Sequence, residues 1–348
     1  MPNTALILGA GFSFAAGVPL TRDLFDCTDL PLSKSDKDEA ALEEVQRAYR
    51  RWKVDHPEKN AEEWLAALAE AGIRSKDRLG TTWDNAIQFA LRRLVKLKNA
   101  HPEPYYHGIC TSFAHPTHAR FWQFVTSNFD LKTIVTLNYD ILIEQALHEG
   151  SSEHRTAPDC YYGGFAFNQI VMKMINVAKR ESVPMRLGHK YKLYKLHGSI
   201  NWAWEHSTTM KVHDDVRAIF RRRGDYQPAI VAPVPEKDTP EFFLNIWREA
   251  SVSLAEAETW IVCGYSMPDY DIALRDFFHK ALGSKRLRHI FILDPYSQQL
   301  SSKWRIPGST AEITCLPGLP HALDADKEWF GGSSSHSVTA DGQYQLFS

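Results

Sequence analysis

The chain has little cysteine and no cysteine pair. Its five cysteines, Cys27, Cys110, Cys160, Cys263 and Cys315, lie far apart and form no C-x-x-C. That pattern removes a cysteine zinc site and offers no disulfide framework, so a reducing compartment fits it best. A charge excess is also missing: 40 Lys+Arg against 42 Asp+Glu leave a formal net charge of -2. Proteins that grip a phosphate backbone normally carry a basic excess, so tight direct nucleic-acid binding is not expected. The one basic cluster, Arg217 with Arg221-Arg222-Arg223, reads as a solvated face or loop. No apolar run approaches a membrane span, and no positively charged leader precedes the first one. The expectation is a cytoplasmic protein.

A metal is not expected either. His115 and His118 form an H-x-x-H, but Pro116 between them speaks against a helical ligand pair and no third ligand stands nearby. That segment reads as the start of a helix.

What the sequence does have is a strand that breaks into glycines. Ala5-Leu6-Ile7-Leu8 runs into Gly9-Ala10-Gly11-Phe12-Ser13, then Ala15-Ala16-Gly17-Val18-Pro19. A buried strand ending in glycines and entering a helix builds an anion site, with backbone N–H groups approaching a pyrophosphate and the helix N-terminus adding positive charge. The third glycine of the dinucleotide fingerprint is absent, because Phe14 stands in its place.

Residues from about Ser33 to Ala100 change character and read as helices. Leu42, Val45, Tyr49 and Trp52 recur at spacings of three and four, as do Trp83, Ile87, Leu91 and Leu94. Asn60 followed by Glu62-Glu63 marks a capped helix start. The α/β pattern then resumes with strands over 133–137, 191–196, 229–232, 259–263 and 290–293, and a helix over 241–256. Continuous apolar strands alternating with helices predict a parallel sheet covered on both faces. The polar residues that close them, Asn138-Tyr139-Asp140, His197-Gly198, Gly264-Tyr265-Ser266 and Asp294, fall where open α/β sheets bind ligands.

These segments together resemble a known family. Gly9 to Pro19 with Arg22 resembles the opening cofactor loop of sirtuins, Thr136-Leu137-Asn138-Tyr139-Asp140 their Asn/Asp segment, and Leu196-His197-Gly198-Ser199 their catalytic His-Gly. Gly264-Tyr265-Ser266 and Leu293-Asp294 follow in the order in which sirtuins hold the phosphates and the adenine ribose. The four-cysteine zinc ribbon of sirtuin deacylases is lacking. Lys195 to Trp202 and Gly264 to Asp271 are similar instead to sirtuin-like domains of bacterial antiphage defence systems, whose members hydrolyse NAD and act as oligomers or with partners.

The resemblance implies an α/β, Rossmann-like parallel sheet of sirtuin type with a large helical insertion after the first strand. Residues 1–30 and 116–325 would form the NAD-binding domain and 31–115 the insertion. Segments 151–190 and 203–226 would be peripheral and 331–348 a flexible tail. It implies NAD as substrate, no metal, and an NAD glycohydrolase releasing nicotinamide and ADP-ribose. Asn138, His197 and Asp140 would be catalytic, and Gly9, Ala10, Gly11, Ser13, Arg22, Gly198, Gly264, Ser266 and Asp294 would hold the dinucleotide. A homo-oligomer or a defence partner (a sensor, an Argonaute-like protein or a translocase ATPase) is implied as well. Two other readings stand beside it: a non-catalytic module sensing NAD or ADP-ribose, and a zinc-free protein deacylase. Taken singly, Asn138 and Asp140 could cap a helix and His197 could sit in a tight turn.

Overall fold

The computed structural model describes residues 1–14, 17–20, 23–27, 36–74, 85–94, 116–144, 160–162, 191–205, 209–212, 226–231, 241–318, 337–338 and 344–345. In chain order the strands are β1 (Asn3–Leu8), β2 (Asp130–Thr136), β3 (Cys160–Tyr162), β4 (Tyr191–Lys195), β5 (Gly198–Glu205), β6 (Thr209–Val212), β7 (Tyr226–Ile230), β8 (Thr259–Cys263), β9 (His289–Leu293) and β10 (Glu312–Leu316). The helices are α1 (Ala10–Phe14), α2 (Asp36–Asp55), α3 (Ala61–Arg74), α4 (85–94), α5 (Pro116–Asn128), α6 (Glu241–Glu256), α7 (Ile272–Leu282) and α8 (Ser297–Leu300).

β1 is an apolar run buried along almost its whole length, as a strand covered on both faces must be. It occupies the middle of a seven-stranded sheet of order β10-β9-β8-β1-β2-β4-β3, in which every pairing is parallel. This is the Rossmann-like α/β arrangement that the sequence predicts. The chain builds one side of β1 first and then crosses to the other, which puts a topological switch point beside β1. The core on the sheet holds Leu6, Ile7, Val135, Trp260 and Val262, packed against Phe243 and Ile246 of α6 and Phe278 of α7.

One expected strand belongs elsewhere. The run at 229–232 contributes Ala229 and Ile230 to β7, which pairs antiparallel with β5 in a separate three-stranded sheet of order β6-β5-β7. A short apolar run looks the same in either kind of sheet, and only its partner tells them apart. The partner is set by Gly198, whose φ of +81 turns the chain directly from His197 into β5. A Cβ there would sit 2.1 Å from the Ala229 carbonyl oxygen, so only glycine lets the two strands pair this closely here. The edge strands β3 and β10 join the main sheet in addition to the strands that the sequence pattern predicts.

The helical stripes pack as predicted. Leu42, Val45 and Tyr49 are buried with Trp64, Phe89 and Leu91 in a second core, against which Trp52 and Ile87 lie; Trp83 is outside the described residues. Phe25 is its hub, with the rings of Trp64, Tyr49 and Phe89 at 4.8, 5.3 and 5.4 Å. Each such pair contributes about 0.5–1.5 kcal/mol beyond its buried area. Ile141, Ile200 and Ala203 join this core, so the helices rest on the loop after β2 and on β5. Asn60 caps α3 as expected: its Oδ1 accepts from the Glu62 and Glu63 N–H groups, and Glu63 Oε2 accepts from the Asn60 N–H. Of the expected tail, the described residues form one small antiparallel pair, β11 (Ser337–Val338) and β12 (Tyr344–Gln345). No helix among the described residues is long and apolar enough to cross a membrane.

Candidate active site

Register decides where the polar residues meet. Leu8 pairs with both Thr136 and Cys263, Thr136 with Lys195, and Cys263 with Leu293. Five parallel strands therefore end level, and Gly9, Asn138, His197, Gly264 and Asp294 emerge on one edge within two residues of those ends.

The glycines do something other than expected. The Gly9 N–H donates to the Cys263 carbonyl, the Gly11 N–H to the Gly264 carbonyl and the Phe12 N–H to the Gly9 carbonyl. Those three donors are spent on the protein and not held ready for a pyrophosphate. A Cβ on Gly9 would come within 2.4 Å of the Gly264 oxygen, and one on Gly11 within 2.7 Å of Gly264 Cα. Gly264 itself, at φ +64, has the Gly11 and Phe12 backbone in its Cβ position. Three glycines are needed because two loops touch backbone to backbone. α1 has five residues, so its dipole is short. Arg22 lies outside the described residues, Ala10 opens α1 half-buried, and Ser266 is exposed.

Asn138 is buried and its orientation is forced. Its amide nitrogen donates to the Gly9 carbonyl oxygen at 2.8 Å and to Ser13 Oγ at 2.9 Å. A carbonyl can only accept, so the amide cannot be turned over. Both amide hydrogens are thus used, and the carbonyl oxygen is the end of the amide that neither bond engages. Ser13, itself buried, passes its own hydrogen to Asp140 Oδ2 at 2.6 Å. Asp140 Oδ1 accepts from the Leu142 N–H, capping the start of the helical residues 142–144. Asp140 thus serves two partners, the Leu142 N–H on one oxygen and the Ser13 hydroxyl on the other.

Beneath this chain lies an ion pair that sequence reasoning missed. Lys195 Nζ meets Glu144 Oε1 at 2.9 Å, with both side chains almost wholly buried, and also donates to the Asp140 carbonyl. A lysine at the end of an apolar strand is the signal, since a buried ammonium demands a partner.

His197 is 5% exposed. Its carbonyl accepts from Val231 N–H, fixing the turn into β5. Its Nε2 lies 3.9 Å from Asp271 Oδ2, and the Tyr139 ring stands 6.1 Å away. Tyr139 donates to the Val231 carbonyl, and its phenol is pushed well up by burial, then by Glu62 and Asp271. Tyr270, next to Asp271, donates to Glu62 of α3 and accepts from Asn60. Its phenol too is raised, by burial and then by Glu62.

At the far end of the edge, Asp294 accepts the Tyr296 N–H at 2.8 Å. Burial lifts its carboxyl above the usual range, against the pull of that hydrogen bond. His118, on α5, holds the Phe12 carbonyl through Nε2 at 2.7 Å with its ring edge-on to Phe12. Among the described residues no group of three or more His, Cys, Asp or Glu side chains gathers as a metal would require.

A family profile described as "SIR2-like domain" matches residues 132–308, half of the chain. The chain belongs to the SIR2-like family. The match covers Asn138, Asp140, His197, Gly264 and Asp294 and begins after the glycine loop. Membership places this SIR2-like protein in the NAD-using sirtuin superfamily. Among solved structures it is similar to a Sir2 in complex with the inhibitor EX-527, 2'-O-acetyl-ADP-ribose and deacetylated p53 peptide, at 13% identity, 95% and 94% coverage of the two chains and a TM-score of 0.42. Comparison with curated proteins gave no match.

Proposed function

We propose that this SIR2-like protein is an NAD glycohydrolase that cleaves the nicotinamide–ribose bond and serves as an NAD-depleting effector of antiphage defence. The observation that carries this reading is the Gly9–Asn138–Ser13–Asp140 hydrogen-bond chain, set beside a buried His197 on one sheet edge. A module that only bound NAD would have no need to lock an asparagine amide by both its hydrogens at the strand end neighbouring a histidine.

Cleavage passes through a transition state of oxocarbenium character and needs positioning more than covalent chemistry. The carbonyl oxygen of Asn138 accepts from a ribose hydroxyl or from the attacking water. Asp140, with lone pairs left over after Ser13 and Leu142, accepts from the nicotinamide carboxamide. His197 takes the proton released at the ribose. Asp294 receives the adenine ribose hydroxyls, and the Gly264 to Ser266 turn, with Gly9 to Ser13, Gly198 and Arg22, borders the phosphates. In this reading residues 1–30 and 116–325 form the catalytic domain, 31–115 the helical insertion, and activity is switched by assembly or by a partner protein in the cytoplasm.

The test is incubation of purified protein with NAD over a range of protein concentrations, with chromatography of products and with or without acetylated peptide. Nicotinamide and ADP-ribose released without peptide support the proposal. Release that requires the peptide makes it a deacylase. Saturable NAD binding with no turnover at any protein concentration makes it a sensor.

A further inference from the structure

Asp271 is not among the residues proposed to meet NAD, although it is buried to 1% exposure. Its two oxygens face different partners. Its Oδ1 accepts from the Leu274 N–H as the N-cap of α7, an ordinary structural duty. Its Oδ2 lies 3.9 Å from His197 Nε2, with both side chains removed from water. A cap needs only a neutral acceptor, and asparagine or serine would serve as well. A buried carboxylate aimed at an imidazole does more, because charge in a shielded setting acts at full strength.

We propose that Asp271 is the positioning residue of His197: its carboxylate favours the imidazolium and so stabilises the proton that His197 takes up. An opposite charge within about 4–6 Å favours the charged form of a titrating group. Other titratable groups face the pair. Tyr139, from the loop after β2, stands against the ring, and its phenol senses Glu62 and Asp271. Tyr265, on the β8 side, senses Asp271 and Glu62 in turn. Burial keeps both phenols protonated, so the charge brought against His197 Nε2 in this pairing is the Asp271 carboxylate.

The consequence for rate rests on the proposed glycohydrolase reading, so the test has two arms. Asp271→Asn and Asp271→Ser keep the cap and remove the charge. In the first arm, proton NMR titration follows the His197 ring, identified by its loss in His197→Ala, in wild type and in both variants. The inference expects the His197 midpoint to fall by about one unit in each variant, with thermal midpoints close to wild type. An unchanged midpoint in a folded variant overturns it. In the second arm, nicotinamide release from NAD is measured against pH. Asp271→Asn is expected to lower kcat by about 10- to 100-fold with KM little changed, and to move the acid limb of the profile to lower pH. A profile superimposable on wild type overturns the proposal. If wild type releases no nicotinamide, the glycohydrolase reading fails and the NMR arm still decides the pairing.

Discussion

Ser13 Oγ donates to Asp140 Oδ2 at 2.6 Å across 127 positions of sequence. The bond joins the loop after β1 to the loop after β2, and it makes the glycine segment and the Asn-Tyr-Asp segment a single unit. Asn138 enters the same unit through its two amide bonds. Chains of this kind polarise one another, so each member holds the next more firmly than an isolated pair would.

Replacing Asn138 or His197 by alanine is expected to abolish nicotinamide release while leaving a folded protein. Loss of one positioned group of this kind costs on the order of 10²–10⁴ in rate. Ser13→Ala should give an intermediate loss, since Asn138 keeps the Gly9 carbonyl as its anchor. Steady-state assays with circular dichroism on each variant settle the order; near wild-type turnover in folded Asn138→Ala and His197→Ala would remove both from the chemistry.

Gly11→Val is expected to damage folding before it damages binding. The new Cβ would press on Gly264 Cα at 2.7 Å, where no flexible side chain can yield. The expected cost is about 3 kcal/mol or more, at the upper end for overpacking. Denaturant midpoints measure it, and a variant as stable as wild type with weakened NAD affinity would return Gly11 to the role of a phosphate contact.

Lys195→Met should destabilise the fold by about 3–5 kcal/mol, because it takes the ammonium 2.9 Å away from a buried Glu144 carboxylate. Lys195→Met with Glu144→Leu should recover much of that, while the Asp140 carbonyl still lacks the ammonium that now donates to it. Urea titration of the single and double variants reads out the coupling.

Alkaline pH offers a test of the phenols behind the histidine. Burial raises Tyr139, Tyr265 and Tyr270 above the ordinary value of 10.0. A group that holds its proton more tightly when folded stabilises the fold below its unfolded value, and that contribution is lost as pH climbs past about 10. Stability should therefore decline above that pH, and tyrosinate absorbance from these three should appear only together with unfolding. Titration of all three in the folded protein would contradict their burial.

Much of this architecture is legible because each apolar run before Gly9, Asn138, His197, Gly264 and Asp294 is too short for a helix and stops at a residue that breaks the strand. The stripes of α2 and the cap at Asn60 are legible for a similar local reason. What the sequence hides depends on partners far away along the chain. β7 reads as a main-sheet strand until Gly198 turns β5 against it. The glycines of the opening loop read as a phosphate cradle, yet their neighbour is Gly264. Asp271 carries only the mark of a helix cap, and its face toward His197 exists only once β4 and β8 lie in one sheet.

Asn60 is used twice: its side-chain oxygen caps α3, and its amide nitrogen meets the Tyr270 hydroxyl, which also reaches Glu62 in the same first turn. That turn cannot fray without letting go of the loop one residue from Asp271. Local melting at the start of α3 and slackening beside His197 are therefore one event with one free energy. Amide exchange in the first turn of α3 and around Asp271 should respond together to any perturbation of either.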